Sequence, residues 1–139
     1  MAYKILILGL PGAGKTTLAE KIAEKLGDDV LWLNADKIRQ EYDDWDFSLE
    51  SRIRQSERMK TLADSSKTKY VIADFVCPLQ RMRDIFSADY IIWVDTIEKS
   101  KYDDTNNLFE DVVQYDIRIA EKDSEQWSSI IAWNLVNGN

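Results

Sequence analysis

The 139 residues suit one domain spanning 1–139, and a hydrophobic content of 45% is enough for a core of its own. A formal net charge of −7 argues against a nucleic-acid partner, which needs clustered Lys and Arg, and the lack of any histidine removes His-based triads and most zinc sites, so a general base here should be a carboxylate. The single cysteine, Cys77, excludes an internal disulfide and fits a reducing compartment; no apolar stretch approaches the roughly 20 residues of a membrane span and no signal-peptide pattern is present, so a cytoplasmic location without a membrane partner is expected.

Residues 3–8 form a short apolar run of strand type. Gly9-Leu10-Pro11-Gly12-Ala13-Gly14-Lys15-Thr16 follows, which is G-x-x-x-x-G-K-T. Residues 17–26 then carry apolar side chains at 18, 19, 22, 23 and 26, a helical spacing. A strand, a glycine loop and a helix in this order are the context that marks a phosphate-binding P-loop. Glycines let successive backbone N–H groups turn inward onto phosphate oxygens, and the helix opening near Lys15 adds its positive dipole end. Lys15 can reach the β- and γ-phosphates, and the Thr16 hydroxyl suits a Mg²⁺ ligand. Gly9, Pro11, Gly12, Ala13, Gly14, Lys15, Thr16 and Thr17 are therefore expected to bind ATP, with Mg²⁺ as its companion.

Gly27-Asp28-Asp29 reads as a helix stop, and 30–34 as a second strand. Asp36 lies just past that strand, where open α/β sheets bind ligands. Asp also favours helix N-caps, so Asp36 is expected to cap a segment over 37–42, and both roles can coexist. Residues 42–46 read as an acidic, aromatic loop, and Ser48 as the N-cap of a long polar helix running to about Ser65. Its arginines include Arg54, expected to pair with Glu50 one turn away on the solvated face. Residues 70–76 form the most apolar strand, with Asp74 near its end in the manner of a carboxylate that holds Mg²⁺ through water. Pro78 is expected to open a basic helix, and 89–95 to form a fourth strand. Residues 96–107 show no periodicity and read as a mobile flap over the nucleotide; 108–113 read as a short helix, 115–119 as a weak fifth strand and 125–136 as a closing helix. In that helix Trp127, Ile130, Ile131 and 133–135 are expected to pack on the sheet. The alternation implies an α/β fold of the P-loop NTPase type, like the nucleoside kinases, with a five-stranded parallel sheet covered by helices on both faces. A P-loop alone serves kinases, GTPases, ATPases and sulfotransferases; no N-K-x-D segment for guanine is present, and the length suits a small-molecule kinase.

Several segments together resemble one family, the adenylylsulfate (APS) kinases. Residues 9–19 resemble that family's G-L-S-G-A-G-K-S/T-T-L-A. Leu33-Asn34-Ala35-Asp36-Lys37-Ile38-Arg39 resembles L-D-G-D-N-I-R, and Phe47-Ser48-Leu49-Glu50-Ser51-Arg52 is similar to F-S-x-x-D-R. Val71-Ile72-Ala73-Asp74-Phe75-Val76-Cys77-Pro78 resembles V-I-A-A-F-I-S-P, and Val94-Asp95-Thr96 is like the V-D-T before the family's flap. The resemblance implies a transferase of sulfate assimilation that moves the γ-phosphate of ATP to the 3′-hydroxyl of adenosine 5′-phosphosulfate. It implies that Lys15 and Asp36 are catalytic, Asp36 activating the hydroxyl or orienting metal water. It implies that Arg39 and Arg52 hold the phosphosulfate, where forked planar donors suit oxyanions, that Phe47 stacks on the acceptor adenine and that Val76 lines its pocket. Metal contacts fall to Thr16 and Asp74. The partners implied are ATP and a small anionic nucleotide, and a homodimer is compatible with a family that often forms dimers.

This chain departs from the pattern in several places. The family's Asn after the second arginine is Gln55, and the Ser of I-S-P is Cys77. The flap motif R-D-x-K-G-L-Y aligns with 103–109, so Asp103 and Asn106 stand where the family has Arg and Lys, with Asn106 at the acceptor-binding position. The family's following segment, which brings a second aromatic over the acceptor, is missing. Three functions remain: an adenylylsulfate kinase; a P-loop kinase for another nucleotide, a polynucleotide end or a sugar; and a nucleotide-binding regulatory module without turnover.

Overall fold

The computed structural model describes residues 1–138. Five strands, β1 (Tyr3–Leu8), β2 (Val30–Asn34), β3 (Tyr70–Asp74), β4 (Tyr90–Val94) and β5 (Ile117–Ile119), form one parallel sheet in the order β2-β3-β1-β4-β5. The helices are α1 (Lys15–Leu26), α2 (Ala35–Glu41), α3 (Leu49–Asp64), α4 (Gln80–Phe86), α5 (Asp103–Leu108) and α6 (Ser124–Asn137). This is the expected α/β architecture with the expected element order. No helix among the described residues is long and apolar enough to cross a membrane.

The central strands β1 and β3 are buried on both faces, which is why they read as unbroken apolar runs. Alternate residues feed two cores. Ile5 and Ile7 of β1 join Tyr70, Ile72 and Ile92 against Leu18, Ala19 and Ile22 of α1 and Ile131 of α6. Leu6 and Leu8 join Val71 and Ala73 against Met59 of α3 and Met82 and Phe86 of α4.

Local chemistry moves several boundaries. β2 runs into α2 without a loop, so Asn34, not Asp36, is the N-cap: its side chain accepts from Lys37 N–H at 3.0 Å. Asp36 falls in the first turn instead, at the positive end of the helix dipole. Ser48 caps α3 as expected, accepting from Ser51 N–H. Arg54 does not pair with Glu50; it reaches Asp44 at 3.3 Å, beside Arg58 at 3.1 Å, because the 42–46 loop folds back and presents a buried carboxylate. Pro78 lies outside α4, whose N-cap is Leu79. Leu108 is the last residue of α5 and no helix covers 109–113. The helix in this part is α5, which falls almost wholly in the segment read as an aperiodic flap, where Asp103 and Asp104 favour the first turn electrostatically. Residues beyond α5 run along α4, tied by Arg83, which donates to the carbonyls of Glu110 and Asp111 at 2.9 and 3.0 Å. In α6 the packed stripe is Trp127, Ile131 and Leu135, at four-residue spacing, while Ile130 and Trp133 face outward and are exposed.

The loop after β1 must pass over the end of β4. A Cβ on Gly9 would stand 2.4 Å from the carbonyl oxygen of Val94, so only glycine fits there. Thr96 then ties the loop from β4's side, its hydroxyl donating to Ala13 carbonyl at 2.7 Å. Gly9→Ala is expected to destabilise the protein by about 2 kcal/mol, the scale of overpacking a tight site. Chemical denaturation would read this; an unchanged midpoint would mean the approach is not tight.

Candidate active site at the strand ends

The carboxyl ends of β1, β2 and β3 open into one cavity of about 740 Å³. That size suits a bound small molecule of nucleotide scale. Pro11, Gly12, Gly14, Lys15, Thr16 and Thr17 line one side of it. Gly14 is the N-cap of α1 in the left-handed region, φ 104°, which sets Lys15 and Thr16 on the helix's first turn. Gly9 lies beneath, at β4, and buried Ala13 faces a second, smaller cavity.

Lys15 is buried, with Nζ donating to the Leu10 carbonyl at 3.0 Å across the loop. Burial lowers its pKa to about 8, against the opposing pull of Asp74 and Asp36. Asp74, at the end of β3 and 3% exposed, accepts from Trp32 Nε1 at 2.7 Å, from Asn34 Nδ2 at 3.1 Å and from Thr16 Oγ1 at 3.4 Å. Burial raises its pKa, and the bonds from Trp32 and Asn34, the charge of Lys15 and the Thr16 bond work against that rise. Thr16 and Asp74 present two hard oxygens to the same cavity. Among the described residues no group of three or more His, Cys, Asp or Glu could cage an ion. Two protein oxygens with room for water and phosphate ligands fit Mg²⁺, which keeps several waters and binds substrate phosphates.

Asp36, exposed on α2, faces the cavity from the β2 side. Beyond it stand Arg39, Phe47, Arg52 and Val76. Both arginines are buried. Arg39 Nη1 donates to the Asp44 and Asp46 carbonyls at 3.0 and 2.9 Å, and its guanidinium lies 4.4 Å from the Phe47 ring centre. Arg52 Nε donates to the Phe47 carbonyl at 2.8 Å, and Nη2 to Thr105 Oγ1 at 3.1 Å, with Asp104 3.6 Å away. The two arginines therefore hold the 44–47 loop in shape as well as facing the cavity. Gln55, at the family's Asn position, donates to the Ala35 carbonyl at 3.0 Å and so braces the start of α2. Cys77 is buried with φ 47°, and burial pushes its thiol pKa up, which makes it unreactive.

The structure thus gathers Lys15, Thr16, Thr17, Asp36, Arg39, Phe47, Arg52, Asp74 and Val76 around one space. It does not bring Asn106 there. Its Oδ1 accepts from Ser100 N–H and Oγ, both at 2.8 Å, and its Nδ2 donates to the Ser100 carbonyl at 2.8 Å. This side chain folds the turn before α5 instead. Sequence reasoning passed over Trp32, whose alternation with Asn34 on β2 puts both on Asp74's side of the sheet. It also passed over Tyr102 and Thr105, which line the cavity from the α5 side where Trp45 and Phe47 add aromatic surface. Lys122 and Trp127 line the smaller cavity beside Gly14 and Thr17, and Lys122 Nζ donates to the Gly12 carbonyl at 3.1 Å. No spacing rule links these late residues to the P-loop.

A family model described as adenylylsulphate kinase matches residues 1–113. No curated protein matches the sequence. Among solved structures, the APS kinase of Mycobacterium tuberculosis in complex with AMPPNP and APS aligns with a TM-score of 0.81 at 17% identity, covering 98% of each chain. A shikimate kinase from Aquifex aeolicus aligns with a TM-score of 0.71 at 19% identity, over 96% of each chain. A hexameric APS kinase from Thiobacillus denitrificans aligns with a TM-score of 0.75 at 21% identity, covering 98% of this chain and 29% of that one. At these identities the neighbours share the fold, while the family model spans most of this sequence. The chain belongs to the adenylylsulphate kinase family and is a P-loop kinase.

Proposed function

We propose that the protein transfers the γ-phosphate of ATP to the 3′-hydroxyl of adenosine 5′-phosphosulfate, in cytoplasmic sulfate assimilation. One observation carries the reading: a single cavity has the P-loop at one end and Asp36, Arg39, Phe47 and Arg52 at the other. The P-loop N–H groups and Lys15 take the phosphates of ATP, and the smaller cavity beside Trp127 receives its base. Mg²⁺, which Thr16 and Asp74 would hold, supplies neutralisation of charge on the transferring phosphate. Arg39 and Arg52 take the acceptor's phosphosulfate, and Phe47 offers its ring to the acceptor base, with Trp45 and Tyr102 also in the wall. Asp36 orients the acceptor hydroxyl and takes its proton as the new phosphorus–oxygen bond forms and the bond from the γ-phosphorus to the bridging oxygen breaks, with ADP as the leaving group. Closure of the α5 side over the cavity excludes water.

Asp104 beside Arg52, and Asn106 turned onto Ser100, favour a second reading: the same phosphoryl transfer to a less anionic acceptor. ADP production from ATP and Mg²⁺ separates the two, with adenylylsulfate run against a panel of nucleosides and sugars and Lys15→Ala as blank. Turnover with adenylylsulfate is expected. Turnover only with another acceptor would move the assignment to the second reading, and ATP binding without turnover would make the protein a nucleotide-binding module.

In the same assay Arg52→Ala is expected to raise the acceptor KM about tenfold or more while the KM for ATP stays nearly constant, since a charge-assisted bond is lost at one substrate only. Equal loss for both substrates would reject the acceptor role. Lys15 gives a pH prediction. Phosphate charge raises its pKa in the complex above the free value of about 8, so binding takes up a proton once the pH passes that value. ATP affinity is therefore fully present below pH 8 and falls above it, by up to about tenfold per pH unit. Calorimetry across this range, with Lys15→Arg as a control that stays charged, should show the fall in the wild type alone. A flat wild-type profile would contradict it.

A further inference from the structure

Asp74 is the buried carboxylate of the site, and the way it is held is specific. β2 and β3 pair in register, Trp32 beside Ile72 and Asn34 beside Asp74. Because side chains alternate along a strand, Trp32 and Asn34 both lie on the side of the sheet that carries Asp74 and α1. Trp32 sits one pleat back, and its indole Nε1 reaches Asp74 Oδ2 at 2.7 Å. Asn34 Nδ2 reaches the same oxygen at 3.1 Å. The orientation of the Asn34 amide is fixed independently, since its Oδ1 accepts from Lys37 N–H at the cap of α2. Its amino group must therefore point at Asp74. Oδ2 takes the two shorter bonds; Oδ1, which Asn34 Nδ2 also reaches at 3.4 Å, is the oxygen turned to Thr16 Oγ1, 3.4 Å away, and Asn34 Nδ2 lies 3.3 Å from that hydroxyl as well.

We propose that Trp32 is a positioning residue for metal binding: its indole N–H, together with Asn34, fixes the rotation of the Asp74 carboxylate so that Oδ1 and Thr16 Oγ1 face a divalent cation in the nucleotide complex. This rests on reading Thr16 and Asp74 as the metal site. Trp32 itself does not line the cavity, and its indole N–H reaches the site through Asp74. Outer partners of this kind typically set metal affinity by about 10–100-fold. The same bracket couples the metal side to the catalytic side, because Asn34 caps the helix that carries Asp36.

The test is Mn²⁺ affinity in the presence of AMPPNP, read by electron paramagnetic resonance, alongside AMPPNP affinity without metal. Trp32→Phe keeps a ring and removes the N–H. It is expected to weaken Mn²⁺ binding about tenfold while leaving metal-free nucleotide affinity unchanged. Asp74→Asn should weaken Mn²⁺ binding at least as much, and the double variant no further than Asp74→Asn alone. Trp32→His, which retains a ring N–H, should recover most of the affinity, and carries the test by itself should Trp32→Phe not fold. Loss in Asp74→Asn with none in Trp32→Phe, or no recovery in a folded Trp32→His, would overturn the role of Trp32 and leave the metal site standing. Unchanged affinity in Asp74→Asn would overturn both.

Discussion

Ile7, Asp74 and Asn34 lie side by side across β1, β3 and β2, and this in-register pairing is what the site depends on. Three parallel strands end at one level, so whatever follows each strand starts from a common rim. After β1 comes the glycine loop, squeezed past Val94 by Gly9. After β2 comes α2 with no intervening residue, which sets Asp36 and Arg39 at a fixed distance from the rim. At the end of β3 stands Asp74, bonded to residues from both of the other elements. A slip of one residue between β2 and β3 would turn Asn34 and Trp32 to the opposite core and leave the buried carboxylate without its donors.

Charge follows the same geometry. The chain is acidic overall, yet among the described residues four of the five buried cations, Lys15, Arg39, Arg52 and Arg83, lie at or near this end of the sheet, with Lys4 at the opposite end of β1. A buried charge without partners is costly, and each of these is hydrogen-bonded. Arg39 and Arg52 take partners from the carbonyls of the 44–47 loop, so both guanidinium groups are held in place where they face the cavity. Asp44 plays the complementary part: the bond from Arg54, with those from Arg58 and Ser51, holds its carboxyl well below the usual range despite burial. The 44–47 loop is thus folded by ion pairing and not by apolar packing, which leaves Trp45 and Phe47 half-exposed and available to a planar ligand.

Much of this was legible in the residues. The P-loop, the order of eleven elements and strands β1 and β2 to the residue follow from period, glycine placement and apolar runs. Boundaries failed where a neighbour's chemistry decided them. Asn34 and Asp36 are both good caps, and only the direct junction of β2 with α2 selects Asn34. The sequence of α5, Asp-Asp-Thr-Asn-Asn-Leu, has no apolar stripe because its inward contact is polar, Thr105 with Arg52. Ile130 and Trp133 looked like core by type but sit off the four-residue stripe that α6 turns to α1. Asn106 was placed in the site by alignment with a flap motif, and three bonds to Ser100 assign it to the turn. Trp32 was invisible because its partner lies forty-two positions away on another strand.

The proposed reaction requires one cavity to hold two substrates at once, ATP's phosphates on the P-loop and an anionic nucleotide on the arginines. Calorimetric titration of adenylylsulfate into protein saturated with ADP and Mg²⁺ tests it most directly. One further equivalent is expected to bind per chain, with ADP retained and the added binding lost in Arg52→Ala. Displacement of ADP by adenylylsulfate, or no binding to the ADP-loaded protein, would contradict it.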